Sequence, residues 1–189
     1  MSSNEIIEKL VVEASYDPLN PVNNFNIAVE YEKLNQTASA VSFYLRAAEY
    51  GFETHPLIAY ASLLRVSICI EDQKDRNLSV SNVILQAIAF LPARPEGYFL
   101  MSRFHERYGN WQECYAYACT GLLFAYESLT PLPTRVDYLG DYCFIFEKAV
   151  SCWWIGRKDE SLQLLNELNV REDIASAYKQ AVLKNLENF

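Results

Sequence analysis

Apolar residues recur along this chain at spacings of three and four, in short runs separated by polar turns. From Asn24 onward, Phe25, Ile27, Ala28, Val29 and Tyr31 share one side of a helix that Lys33 and Asn35 close. A second run begins near Thr37 and places Ala40, Val41, Tyr44, Leu45 and Ala47 at the same spacing, with Gly51 as its stop. Two short amphipathic helices joined by a tight polar turn predict an antiparallel helical hairpin.

The same grammar returns downstream. Leu63, Val66, Ser67 and Ile70 lead through "EDQKDRN" to Val80, Val83, Ile84, Ala87 and Ile88. Tyr98, Met101, Ser102 and His105 lead through "RYGNW" to Cys114, Ala118 and Gly121. Ala149, Cys152 and Trp153 lead through "IGRKDE" to Ser161, Leu164, Leu165 and Leu168. The small residue inside each first helix (Ala28, Ser67, Ser102, Ala149) recurs at intervals of 39, 35 and 47 residues. The matching place in each second helix (Ala40, Val80, Cys114, Ser161) recurs at 40, 34 and 47. Between hairpins, "DPLNPVNNF" and "LPARPEGYF" each carry two prolines three apart, which block the preceding helix and suit the first turn of the next.

On these residues the chain resembles the tetratricopeptide repeat (TPR), a helix–turn–helix unit of about 34 residues. The first repeat matches its pattern of small and aromatic positions with Ile27, Ala28 and Tyr31, then Ala40, Tyr44 and Ala47. The resemblance implies an all-α fold, a TPR-like right-handed superhelix of antiparallel helix pairs. It divides a single domain, 1–189, into an N-terminal half-unit (3–18), repeats at 21–54, 60–93 and 95–127, an elbow loop at 128–142, a fourth repeat at 143–170 and a capping helix at 172–188. The fourth repeat departs from the pattern, with no junction proline and Lys148 where a leucine-like residue belongs.

Composition narrows the choice of function. About half of the 189 residues are apolar, and six glycines and seven prolines are few for a turn-rich sheet protein. A formal charge of −8 with no basic stripe argues against nucleic acid and anionic membrane as partners. The N-terminal "MSSNEIIEKLVVEASYDP" has no basic leader, and no run is long and apolar enough to span a bilayer, so a cytoplasmic location is expected. The five cysteines (Cys69, Cys114, Cys119, Cys143 and Cys152) form no C-x-x-C pair and read as reduced packing residues.

No catalytic set emerges. "HERYG" at His105 lacks a second histidine four residues on, the glycines are scattered, and Cys114 with His105 falls on repeat-core positions. Glu30, Glu32, Glu71 and Asp72 read as solvated helix faces or turns. The expectation is a non-enzyme with no cofactor and no metal.

In TPR stacks the first helices line a concave groove, so the resemblance implies groove positions at Phe25, Val29 and Lys33, then Leu64 and Ile68, then Phe99, Arg103 and Arg107, and finally Phe146, Val150 and Trp154. Aromatic residues and arginine are types that anchor interfaces. The implied function is a scaffold binding a peptide segment or helix of a protein partner, with the oligomeric state left open. A clamp for chaperone tails is not expected, because Phe25, Val29, Glu96 and Leu100 stand where such units carry Lys and Asn. "EYEKLNQTASAVSFYLRAAE", "YFLMSRFHERYGNWQECY" and "FEKAVSCWWIG" also resemble a TPR group that accompanies glycosyltransferases. That second resemblance implies an accessory role in glycan assembly, with a glycosyltransferase as the partner and Trp111, Trp153 and Trp154 as candidate sugar platforms.

Overall fold

The computed structural model describes residues 2–73, 76–126 and 130–189. Among them the chain is all-α, with no strand. Its helices are α1 (Ser3–Tyr16), α2 (Pro21–Lys33), α3 (Thr37–Gly51), α4 (Pro56–Glu71), α5 (Asn77–Phe90), α6 (Pro95–Arg107), α7 (Trp111–Leu122), α8 (Asp141–Trp154), α9 (Lys158–Val170) and α10 (Ser176–Leu186). Lys74 and Asp75 of the "EDQKDRN" turn lie outside the described residues. So do residues 127–129, where the sequence places the end of the third repeat and the start of the elbow.

The helix starts have local causes. Ser2 and Glu5 form a reciprocal capping box on α1, the Glu5 carboxylate accepting from the Ser2 N–H at 2.8 Å. The Asn20 side chain accepts from the amides of Val22 and Asn23 at 3.0 and 3.1 Å, and Pro21 fills the first helical position, where no donor is needed. Buried Asn24 then donates to the carbonyls of Pro18 and Asn20, which fixes the "DPLNPVNNF" junction as an ordered corner. Pro95 opens α6 in the same position. Pro56 opens α4, so the second pair begins at "THP" rather than at residue 60.

Three pairs share one turn. Asn35, Gly109 and Gly156 adopt positive φ of 57°, 69° and 83° just beyond α2, α6 and α8. The next residue donates back across the helix end in each case: Gln36 to Tyr31 at 2.9 Å, Asn110 to His105 at 2.9 Å, and Arg157 to Cys152 at 2.8 Å. This is a Schellman closure, which satisfies stray carbonyls and reverses the chain within a few residues.

The two helices of a pair then meet at the small residues. Ala28, Ala40, Ser67, Val80, Ser102, Cys114, Ala149 and Ser161 are all essentially fully buried. At two crossings a hydroxyl spans the gap, Ser102 Oγ donating to the Cys114 carbonyl at 3.2 Å and Ser161 Oγ to the Ala149 carbonyl at 2.7 Å. Backbones approach closely enough for these bonds only because no larger side chain intervenes.

The described chain forms two compact units, the first built from α1 to α5 with residues 130–136, the second from α6 to α10 with residues 92–94 and 137–140. The expected elbow is therefore shared between them. In the first unit, Arg65 of α4 pairs with Glu32 of α2 through Nε at 3.1 Å, and its Nη1 donates to the Arg135 carbonyl at 3.0 Å. Tyr44 of α3 donates to the same Glu32 carboxylate at 2.7 Å. Glu32 is thus an interhelical tie and Glu30 is buried, where the sequence suggested solvated faces. The reason is tertiary: Glu30 lies against Ser3 of α1, while Glu32, on another side of α2, is met by α3 and α4.

In the second unit α8 begins at Asp141, which receives two bonds from Arg171 at 2.7 and 2.9 Å. Gly121 of α7 sits against the Phe144 ring of α8, where an added Cβ would lie 2.2 Å from Cε1. Phe144 is itself fully buried. Gly121→Ala is accordingly expected to destabilise the fold by about 1–3 kcal/mol, read as a lowered midpoint in denaturant with helicity retained.

Candidate partner-binding cleft

The second unit contains an open cleft of about 430 Å³ between α6, α8 and α10. Its apolar lining is Phe99, Leu100, Leu139, Phe146 and Tyr178, and Ala177 and Ala181 on α10 leave the space open. Phe146 meets Tyr178 edge to face at 5.3 Å, and Tyr142 does the same at 5.3 Å, so α10 is docked through one tyrosine between two rings of α8. Arg103, Arg107 and Asp137 supply the charged lining.

A buried carboxylate beneath the cleft pairs with an arginine of its wall. Glu147 of α8 is 1% exposed, and Arg103 Nη1 donates to its Oε1 at 3.0 Å. Glu106 stands 3.8 Å from the same guanidinium. The Cys114 thiol lies 3.9 Å from Glu147 Oε2. Burial raises the Glu147 carboxyl from its ordinary 4.5 to about 7, and Arg103 only partly offsets this. Burial likewise pushes the Cys114 thiol up to about 12.

The sequence-derived groove positions divide among several places. Phe99, Arg103, Arg107 and Phe146 come together in this cleft. Val150 and Trp154 line a smaller one of about 220 Å³ with Trp153, Asn185 and Phe189. In the first unit Phe25 is buried edge to face on Tyr44 at 5.6 Å, and Leu64 is fully buried. Val29 and Ile68 are half-buried, and Lys33 is exposed and paired with Glu30 at 2.5 Å. Sequence reasoning missed Glu147, Asp137 and Leu139 and gave the segment that carries Tyr178, 172–188, only a capping role. Glu147 had a signal: it is the one acid in "YCFIFEKAVSCWW", a run apolar on nearly every side.

Other candidates have packing roles. His105 stacks on Tyr117 at 5.4 Å, and burial lowers its pKa. Trp111 and Trp154 stack on each other at 5.2 Å, while Trp153 meets Phe189 edge to face and Lys158 lies over its ring. All five cysteines are free thiols, four of them buried. Among the described residues no cluster of three His, Cys, Asp or Glu could hold a metal ion, and no helix is long and apolar enough to cross a membrane.

Paired helices with small-residue crossings and Schellman turns define a TPR-type helical-repeat fold, and comparison with solved structures agrees. The chain is similar to PilW, a widely conserved type IV pilus biogenesis factor, with a TM-score of 0.69 and 16% identity over 93% of this chain and 73% of that one. It is similar to MamA (TM-score 0.65, 9% identity, 98% and 90% covered). It is also similar to a thermophilic TPR protein of Thermus thermophilus (TM-score 0.59, 14% identity, 98% and 91% covered). No family model and no curated protein matches the sequence.

Glu147 sets a pH dependence. Its folded pKa lies above the unfolded value, so the folded chain holds this proton more tightly. That contribution to stability is fully present below about pH 4.5 and is lost as the pH rises through about 7. The melting temperature of Glu147→Gln, taken relative to the parent chain, should therefore rise between about pH 5 and about pH 8 and then level off. Parallel thermal melts across that range check it.

Proposed function

We propose that this chain is a non-catalytic scaffold that binds a segment of a protein partner, peptide or helix, with the α6–α8–α10 cleft of the second unit as the principal contact. The observation that supports this most is that cleft itself. An apolar floor of Phe99, Phe146 and Tyr178 lies beside Arg103 and Arg107, the combination of aromatic and guanidinium groups that anchors protein interfaces. In the first unit Val29, Lys33 and Ile68 keep some exposure for contact, whereas Phe25 and Leu64 serve packing. The TPR-type fold adds support by analogy only.

A role beside a glycosyltransferase is the alternative that the sequence raises. Trp111 and Trp154 occupy each other's faces, and no geometry here favours a sugar over a polypeptide.

A photo-crosslinking amino acid at Leu139, which is exposed on the cleft rim, tests the reading. It should capture a partner protein from the native source, and Arg103→Glu with Arg107→Glu should reduce capture by about tenfold or more with helicity unchanged. Equal capture by the double variant would remove the cleft from the function.

A further inference from the structure

Arg103 is held between two carboxylates of unlike environment. Glu147, on α8, is buried at 3.0 Å, while Glu106, one turn along α6, is partly exposed at 3.8 Å. The guanidinium side chain is 35% exposed and forms part of the cleft wall. Two of the three charged side chains lining that wall are arginines, on a chain whose formal charge is −8. The charge that complements this wall is negative, and the floor beside it is aromatic.

We infer that the cleft takes an acidic, apolar polypeptide segment whose carboxylate binds Arg103 in competition with Glu147, so that protonation of Glu147 tightens binding. This rests on the cleft reading proposed above and specifies its ligand and its control. With Glu147 ionised, the Arg103 charge is already answered from below, and an incoming carboxylate must share it. With Glu147 neutral, the guanidinium keeps only the longer contact to partly exposed Glu106, and the segment's carboxylate takes the place of the closer counter-charge.

The groups around Glu147 leave it as the one that changes near neutrality. From α6 it faces Arg103, Glu106 and Arg107, from α7 Cys114, and from α10 Tyr178. On its own helix Cys143 lies one turn back, and Ser151 donates to the Glu147 carbonyl. Burial raises Cys114, Cys143 and Tyr178, which keeps all three protonated, and Arg103 stays charged. His105 stacks on Tyr117 and meets Phe104 edge to face, and burial lowers its pKa.

The probes are two blocked tripeptides, acetyl-Leu-Glu-Leu-amide and its neutral isostere acetyl-Leu-Gln-Leu-amide, titrated into the full chain and followed by NMR shifts of cleft residues. The glutamate peptide should bind about fivefold tighter at about pH 6 than at about pH 8, a range in which its own carboxyl stays ionised. The glutamine peptide should show no such change. Glu147→Gln should bind the glutamate peptide equally at both pH values, and Arg103→Gln should lose the preference for glutamate over glutamine. Thermal melts confirm that each variant is folded.

Equal affinity for the two peptides, or a pH dependence that survives in Glu147→Gln, overturns the inference while leaving the cleft reading to stand or fall on the crosslinking result. Failure of the glutamate peptide to shift the cleft residues overturns it as well.

Discussion

The close approach of paired helices at their small residues is the constraint on which the rest depends. Where Ser102 meets Cys114 and Ser161 meets Ala149, a hydroxyl of one helix reaches a backbone carbonyl of the other. Such contact sets the depth at which every larger side chain on the pair must sit. Aromatic residues one turn away then fill the space between successive pairs, as Phe144 does against the bare backbone of Gly121. In three pairs a shared Schellman turn delivers the second helix to that crossing, because Asn35, Gly109 and Gly156 end the first helix at a common register.

That packing decides what is left for recognition. Most first-helix aromatics are consumed in covering their neighbours, and Phe25 and Leu64 vanish into the first unit in this way. In the second unit α10 presents Ala177 and Ala181 toward the cleft, so the space beside Phe146 stays open. The cleft exists because small residues stand where bulk would close it. Its polar chemistry is unusual for the opposite reason: Glu147 is a long charged side chain in a run otherwise given over to the core. A buried carboxylate of that kind is held by Arg103 and is destabilised by desolvation at the same time.

Much of the architecture was legible because it is local. Helix periods, proline starts and the three polar turns are properties of a few adjacent residues, and the pairing Ala28 with Ala40 or Ser102 with Cys114 follows from their spacing. The start of α4 at Pro56 was misplaced since "THP" has one proline where the other junctions have two. The division of residues 128–142 could not be read, because it turns on long-range bonds such as Arg65 to the Arg135 carbonyl. Within the candidate site, Arg103, Arg107, Phe99 and Phe146 were named because the TPR resemblance points the first helices toward a groove and helical phase then selects their positions. Tyr178 and Leu139 were not, as they reach the cleft from a different helix and from an irregular segment.

The sequence by itself determined that this chain is helical, where its pairs begin and turn, and which small residues let them touch, since each of these depends on neighbours within a few turns. Tertiary structure alone decided which first-helix side chains are spent in packing and which remain open, and it converted Glu32 from an apparent surface charge into an interhelical partner and gave Glu147 its partner Arg103. The physical reason is that burial, and with it the ionisation of a carboxylate, depends on atoms brought in from distant parts of the chain, whereas periodicity and capping do not.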